Sequence, residues 1–469
     1  MNLLHNENSL YAYELGDKRL NKRLGKIVKK MQVSVESSTP QVMGDRGHTK
    51  GYYRFINNKK VESSALIAGY SLDSRTCSLA SASTLLAIQD TTLLHYSTNR
   101  AAPNLDCLET ETSKGFMLHN HLLISDNGIP FGLFSQSFFA RKADELGKSK
   151  ANTRKKTPFE EKESYRWLAE FNALQEAYKD ATDKTIVQLC DREADIHELL
   201  EAREYAHIHY LIRSSYERAS ADRTEASIWA QVEAVPFSYA YELVLPATNK
   251  RTSTRTATME VRYKYVTIKP GYRKGYKLKA QGVWILETKE VSPVPEGDEA
   301  IHWRLLTSIP ILTKEIAATI IRYYVLRWLI ERFHYVLKQG LKVEDLQIET
   351  PQALQNAIVL KSWQAIDVMI LHAYTQIDTT ITLQEAGFSQ KDYEIAFQYA
   401  KKCCNSKEVK QTTPTVKHFT RLIAQIGGHS LQASKLIGVV AIWRGWTLFG
   451  IIKKVTLSIT IACDEDVGK

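Results

Sequence analysis

Two short apolar runs that each stop at an aspartate constrain this chain more than any other feature. Thr84 to Gln89 ends at Asp90, and Thr185 to Cys190 ends at Asp191. Runs of this length, rich in Leu, Ile and Val, read as buried strands. A carboxylate at such a strand end costs stability unless it is paired, hydrogen-bonded or bound to a cation. Two of them predict a sheet whose strand ends build an acidic site.

The surrounding pattern alternates strand and helix, which predicts an α/β architecture. Leu118 to Ile124 and Phe131 to Ala140 read as an antiparallel continuation, and residues 158–180 as a helix. A helix follows from about Arg192, then a strand at Ile208 to Arg213. Between Ala140 and the 158–180 helix, Arg141 to Thr157 is polar and basic and reads as a mobile loop. From about residue 225 to 300 the chain is basic and strand-rich, with Tyr241 to Leu245, Met259 to Ile268 and Tyr276 to Leu286 suggesting an inserted antiparallel sheet. Strand-like Trp303 to Thr307 leads into one long helix, about Thr313 to Gln339, and helices continue to about residue 371. The rest reads as helical, with amphipathic runs at Val416 to Ile426 and Leu436 to Lys453. The resulting division is 1–70, 71–371 and 372–469.

The charge of +10, from 62 Lys and Arg against 52 Asp and Glu, favours a polyanionic partner. At the N-terminus Leu20, Leu24, Ile27 and Val28 recur at helical spacing among Lys18, Arg19, Lys22, Arg23, Lys26, Lys29 and Lys30. One face is apolar and the other cationic, a pattern shared by ordinary surface helices. In Ser37 to Tyr53, glycines alternate with cations and aromatics. That mixture, with Arg46 and Lys50, suits phosphate contacts made by close backbone approach. The six cysteines show no zinc-site spacing and read as reduced thiols. Met1 to Gly16 has no features of an export signal, and the apolar run Leu436 to Trp443 is far shorter than the roughly twenty residues of a membrane span. The expectation is a cytoplasmic protein without a membrane partner.

A third acid completes the set. At about 100° per residue, Tyr324, Arg327, Glu331 and Lys338 fall within an arc of roughly 60° on a regular helix. Such a stripe is often a surface ion-pair ladder, but Trp328, Ile330, Phe333 and Leu337 leave this helix little solvated face. Asp90, Asp191 and Glu331 offer hard oxygen ligands without His or Cys, which suits magnesium or manganese better than zinc. Two such ions can drive an in-line attack on phosphate. Arg327 and Lys338 would then hold phosphates.

These residues carry a family resemblance. "DREADIH" at 191–197 with "YVLRWLIERFHYVLK" at 324–338 resembles the DDE transposases of insertion-sequence family four, the Tn-five transposase type. "AIQDTTLLHY" at 87–96 resembles the segment around the family's first aspartate. "LGDKRLNKRL" at 15–24 and "GYYRFINN" at 51–58, which includes Arg54, resemble its end-binding module, and "IWRGWTLF" at 442–449 its dimerisation region.

The resemblance implies a ribonuclease-H-like core, with Asp90, Asp191 and Glu331 holding two magnesium ions that manganese can replace. It implies a helical DNA-binding module over 1–70, a catalytic domain over 71–371 with the sheet inserted, and a helical dimerisation module over 372–469. Double-stranded DNA, as transposon ends and target, is the implied partner of a homodimer that forms on DNA. The implied chemistry is cleavage through a hairpin intermediate followed by joining to target DNA. Trp303 stands at the position of a flipped-base pocket, and Arg213 at that of a backbone clamp. Glu193, Asp195 and His197 are expected to support the site or lie on the surface. The residues also leave open a nuclease without strand transfer, or a regulator that only binds DNA. A glycosidase would give no reason for cations beside Glu331.

Overall fold

The computed structural model describes residues 13–33, 38–143, 146, 157–222, 227–245, 254–272, 277–377, 379–430 and 436–467. Most of the basic stretch expected to be a mobile loop, 144–145 and 147–156, lies outside the described residues.

In chain order the elements begin with α1 (Lys18–Val33), α2 (Thr39–Met43), α3 (Arg46–Ile56), α4 (Ser63–Ser81), β1 (Thr84–His95), β2 (Gly115–Ser125) and β3 (Pro130–Phe139). They continue with α5 (Tyr165–Tyr178), β4 (Thr185–Cys190), α6 (His197–Glu201), β5 (Ile208–Arg213), α7 (Ile228–Glu233), β6 (Tyr239–Leu245), β7 (Arg255–Ile268), β8 (Gln281–Glu290) and β9 (His302–Thr307). The last are α8 (Lys314–Leu326), α9 (Trp328–Tyr335), α10 (Pro351–Gln376), α11 (Gln390–Cys403), α12 (Val416–Ile426) and α13 (Val439–Val467). The architecture is mixed α/β, in two compact units. One, strand-rich, comprises 83–90 and 147–328; the other, helix-rich, comprises 1–82, 91–146 and 329–469.

In the strand-rich unit the strands run in the order β1, β4, β5, β9, β8, β7, β6. β1, β4 and β5 are parallel, and β9 joins β5 antiparallel, with Arg213 opposite Leu305. Parallel strands are covered on both faces, so they read as unbroken apolar runs; Ile186, Val187, Leu189 and Cys190 of β4 are all buried. Helix α5 covers this part with Trp167, Phe171, Leu174 and Tyr178, Phe171 meeting Tyr210 edge-on at 6.4 Å. From β6 to β9 every pairing is antiparallel. Glu287, buried on β8, is stabilised there by donors from Arg262, His302 and Arg304. Burial raises its pKa, but those hydrogen bonds prevail and bring it down to about 2.

The helix-rich unit contains β2 and β3 as an antiparallel pair and is organised on α10. This helix starts at the Thr350 cap with Pro351 in its first turn and is buried over nearly its whole circumference, as expected of a helix that is apolar all round. Tyr70 of α4 stacks on Trp363 at 5.0 Å. Helices α12 and α13 approach so closely that a Cβ at Gly445 would lie 1.8 Å from the Ile423 carbonyl, and one at Gly427 1.9 Å from the Ala441 carbonyl. Only glycine fits at either crossing point.

Within the N-terminal part, Gly44 ends α2 with a positive φ, and the Asp45 carboxylate caps α3 by accepting from the His48 amide at 2.8 Å. The Arg23 guanidinium of α1 packs against Gly51 of α3. One sequence expectation changes here: the long helix over 313–339 is interrupted. At Arg327 the amide bonds back to the Tyr324 carbonyl, three residues earlier, and residues 336–340 form a π turn closed by the Leu341 amide on the Val336 carbonyl at 2.9 Å. The even rotation assumed for the Tyr324–Lys338 stripe therefore does not hold over its full length.

Candidate active site

The two aspartates come together through strand register, but only Asp191 follows a strand end: β1 does not stop at Asp90, as the apolar run suggested, and continues to His95. Ile88 of β1 pairs with Leu189 of β4, so Asp90 and Asp191, each two residues further, occupy equivalent positions on neighbouring parallel strands. Such strands run roughly 4.8 Å apart, and residues in equivalent register point to the same face. Both aspartates are half-buried where the apolar runs end. The Asp191 carboxylate caps the following turn, accepting from the Glu193 amide at 2.9 Å.

Two arginines, Arg213 and Arg327, belong to the same unit as this acidic pair. Burial raises the pKa of the buried Cys190 thiol; a hydrogen bond from Gln188 opposes it, and of the nearby charges Asp191 and Asp90 raise it further while Arg327 lowers it. One sulfur thus feels all three groups. Arg327 is itself only 7% exposed, and a guanidinium so far from water requires compensation. Its charge lies over the Tyr324 ring at 5.7 Å and the Trp328 ring at 5.9 Å. Burial raises the Tyr324 hydroxyl pKa, while Arg327 and Arg213 oppose it. Burial likewise lowers the Arg213 pKa, with Tyr324 opposing. Trp303 packs edge-on against Tyr324 at 5.4 Å. The structure thus gathers Asp90, Asp191, Arg213, Trp303, Tyr324 and Arg327 in one unit.

Glu331 and Lys338 belong to the other unit. Glu331 is half-buried on α9. Three residues on, His334 is buried and its Nε2 accepts from Asn120 Nδ2 at 2.9 Å. Gln136 Nε2 donates to Asn120 Oδ1 at 2.7 Å and to Ser362 Oγ at 3.0 Å. This chain of hydrogen bonds ties the helix bearing Glu331 to β2, β3 and α10. Burial, and then the Lys338 charge, depress the His334 pKa to about 3. Lys338 Nζ donates to the Leu93 carbonyl at 2.8 Å and lies 3.4 Å from the Glu344 carboxylate. Arg46, Lys50 and Arg54 are exposed on α3 at four-residue spacing, which places them along one helix face.

Sequence reasoning did not foresee how Asp195 works. It is 2% exposed, and its Oδ2 accepts from the Ser215 amide at 2.8 Å and Ser214 Oγ at 3.1 Å, fixing the loop after Arg213. Arg218 donates to its other oxygen. No spacing signal joins Asp195 to Arg218. Among the described residues, no group of three or more His, Cys, Asp and Glu side chains forms a metal-holding cluster. The donor set of Asp90 and Asp191, two hard carboxylates with neither His nor Cys, fits an oxygen-seeking divalent cation.

Fold and site define an α/β enzyme with an acidic pair in register on adjacent parallel strands and with Arg213 and Arg327 in the same unit. Residues 168–363 match the family described as transposase DDE domain, and residues 5–61 the family described as transposase DNA-binding. The protein is a DDE transposase, and a DDE domain implies a ribonuclease-H-like fold and divalent-metal dependence. Among solved structures, the chain is similar to piggyBac transposase in a synaptic complex with hairpin DNA, at 9% identity over 90% of this chain and 71% of that chain, with a TM-score of 0.32. No helix among the described residues is long and apolar enough to cross a membrane.

Proposed function

We propose that this transposase is a cut-and-paste enzyme of the insertion-sequence family four type. It binds transposon ends, cleaves them through a hairpin intermediate and joins them to target DNA, with Asp90, Asp191 and Glu331 as its acidic triad. The observation that carries this reading is the register of Asp90 with Asp191, with Arg327 beside them. Glu331 enters through its place in the Tyr-Arg-Glu-Lys spacing of residues 324–338 and its position one turn after Arg327 along the chain.

Asp90, Asp191 and Glu331 would hold the metal. Magnesium, or manganese in its place, as two ions per site, supplies Lewis-acid activation of the attacking oxygen and stabilisation of the leaving one. The protein's own groups position the DNA. Arg213 and Arg327, braced by Tyr324, bind the phosphates on either side of the scissile bond, and Trp303 offers a face for an unstacked base. Lys338 takes a phosphate in exchange for Glu344. Arg46, Lys50 and Arg54 bind the end sequence from α3. A homodimer forms on DNA, and the exposed Leu448, Ile451 and Val455 of α13 supply apolar surface for it. The test is incubation of purified protein with magnesium and DNA carrying the element's ends. Nicks, hairpins and joined products, all abolished in Asp191→Asn, support the reading; cleavage without joined products identifies a nuclease instead.

A further inference from the structure

The loop that follows Arg213 is rigid at its root and exposed at its tip. Asp195 Oδ2 accepts from Ser214 Oγ, the Ser215 amide and the Tyr216 amide at 3.1, 2.8 and 3.3 Å. Ser215 Oγ in turn donates to the Arg192 carbonyl at 3.1 Å, next to Asp191. These bonds hold the backbone at Tyr216, while its side chain is 62% exposed. An exposed aromatic ring on an anchored backbone is available to stack on a planar partner.

Tyr216 borders an open cavity of about 400 Å³, within the ~300–1,000 Å³ range of small-ligand pockets. Trp229 forms part of its wall, 5% exposed and covered by the Arg304 guanidinium at 4.6 Å. Arg304 is also bound to Glu287 at 2.8 Å and to Glu233 at 2.5 Å. Its charge is thus shared between two carboxylates, which makes the cavity a poor phosphate site. The carboxylate residues Glu217 and Glu233 line the cavity beside Ser214 and Ser227, and Glu233 keeps acceptor capacity beyond the one oxygen that Arg304 takes. Ionised carboxylates only accept hydrogen bonds, so the matching ligand has a flat face for Tyr216 and N–H donors at its edge. A nucleobase with an exocyclic amino group has both.

The cavity is separate from the Trp303 position. Trp303 and Arg304 are consecutive on β9 and so face opposite sides of the sheet: Trp303 packs on Tyr324, whereas Arg304 lines the cavity. We propose that the Tyr216–Trp229–Glu233 cavity binds an unpaired adenine, cytosine or guanine, in preference to thymine, from DNA strands separated at the cleavage site. This rests on the reading that the carboxyl edge bearing Asp191 faces DNA.

The test uses the full-length protein and short single-stranded thymidine oligonucleotides, either unmodified or carrying one 2-aminopurine, a fluorescent base with an exocyclic amine. Wild type is expected to quench the 2-aminopurine and to bind that oligonucleotide several-fold more tightly than the all-thymidine one. Tyr216→Ala, at an exposed position, is expected to relieve the quenching and weaken binding roughly tenfold, within the range for removal of one aromatic stack. Glu233→Gln is expected to keep the quenching and lose the preference over thymidine. Equal quenching by wild type and Tyr216→Ala, or equal affinity of wild type for both oligonucleotides, would overturn the proposal. Asp191→Asn is expected to abolish cleavage while leaving this binding unchanged, so failure of the catalytic reading and failure of the base pocket give different results.

Discussion

Asp90, within β1, and Asp191, just past the end of β4, stand in equivalent register on adjacent parallel strands, two residues beyond the Ile88–Leu189 pair. The charges of both aspartates and of Arg327 act on the buried Cys190 thiol. Two carboxylates on one face repel one another unless cations are near. A site of this composition is therefore made to gather positive charge.

The first prediction concerns these two carboxylates. Asp90→Asn and Asp191→Asn keep side-chain shape and remove a charge, so the fold and end binding should persist while cleavage falls by at least about 10³-fold, the scale seen on loss of a key electrostatic group. Single-turnover cleavage beside a gel-shift titration measures both. Loss of binding in parallel with cleavage would mean that the aspartates act through the fold.

The second concerns α3. Arg46, Lys50 and Arg54 are exposed along one face, and removing each cation that neutralises a phosphate should lower the slope of log affinity against log salt by about 0.9. Alanine substitutions measured over a salt series should show flatter slopes with little change in melting temperature. An unchanged slope would mean that α3 does not touch the DNA backbone.

The bond between Asn120 and His334 sets the third. Asn120→Ala leaves the buried His334 Nε2 and Gln136 Nε2 with fewer partners, which should cost about 1–3 kcal/mol of stability, measured by urea unfolding. Asn120→Asp restores an acceptor for Gln136 but not the donor to His334, and should remain destabilised.

The fourth is a pH dependence. Burial depresses the pKa of His334 to about 3 and that of His372 to about 4, from 6.5. The unfolded chain therefore binds protons at these sites before the folded protein does, so their contribution is complete above about pH 6.5 and declines as pH falls toward 4. Each group steepens that decline by up to about 1.4 kcal/mol per pH unit. His372→Gln should flatten the acid limb of stability against pH; an unaltered limb would mean that His372 does not titrate in this way.

Much of this was legible in sequence because burial writes a strong pattern. β4 and β5 run over the stretches expected, Thr185–Cys190 and Ile208–Arg213, since parallel strands covered on both faces must be apolar throughout, and α12 matches Val416–Ile426 because its amphipathic period is complete. Backbone details left no such mark. Nothing in the sequence signals that the Arg23 guanidinium packs against Gly51. The π turn at 336–340 depends on a single hydrogen-bond shift. Lys338 could be read as a free cation because Glu344, its partner, carries no spacing signal relative to Leu93 or to the helix. The role of Asp195 depends on a loop that reaches it only after folding.

The most direct test of the central claim is Glu331→Ala, which removes the acid assigned through its spacing. Wild type and variant are incubated with magnesium and DNA carrying the element's ends, and products are resolved on a denaturing gel. The account expects nicks, hairpins and joined products with wild type, and intact DNA, still bound, with Glu331→Ala. Undiminished cleavage by the variant would contradict the assignment of the triad.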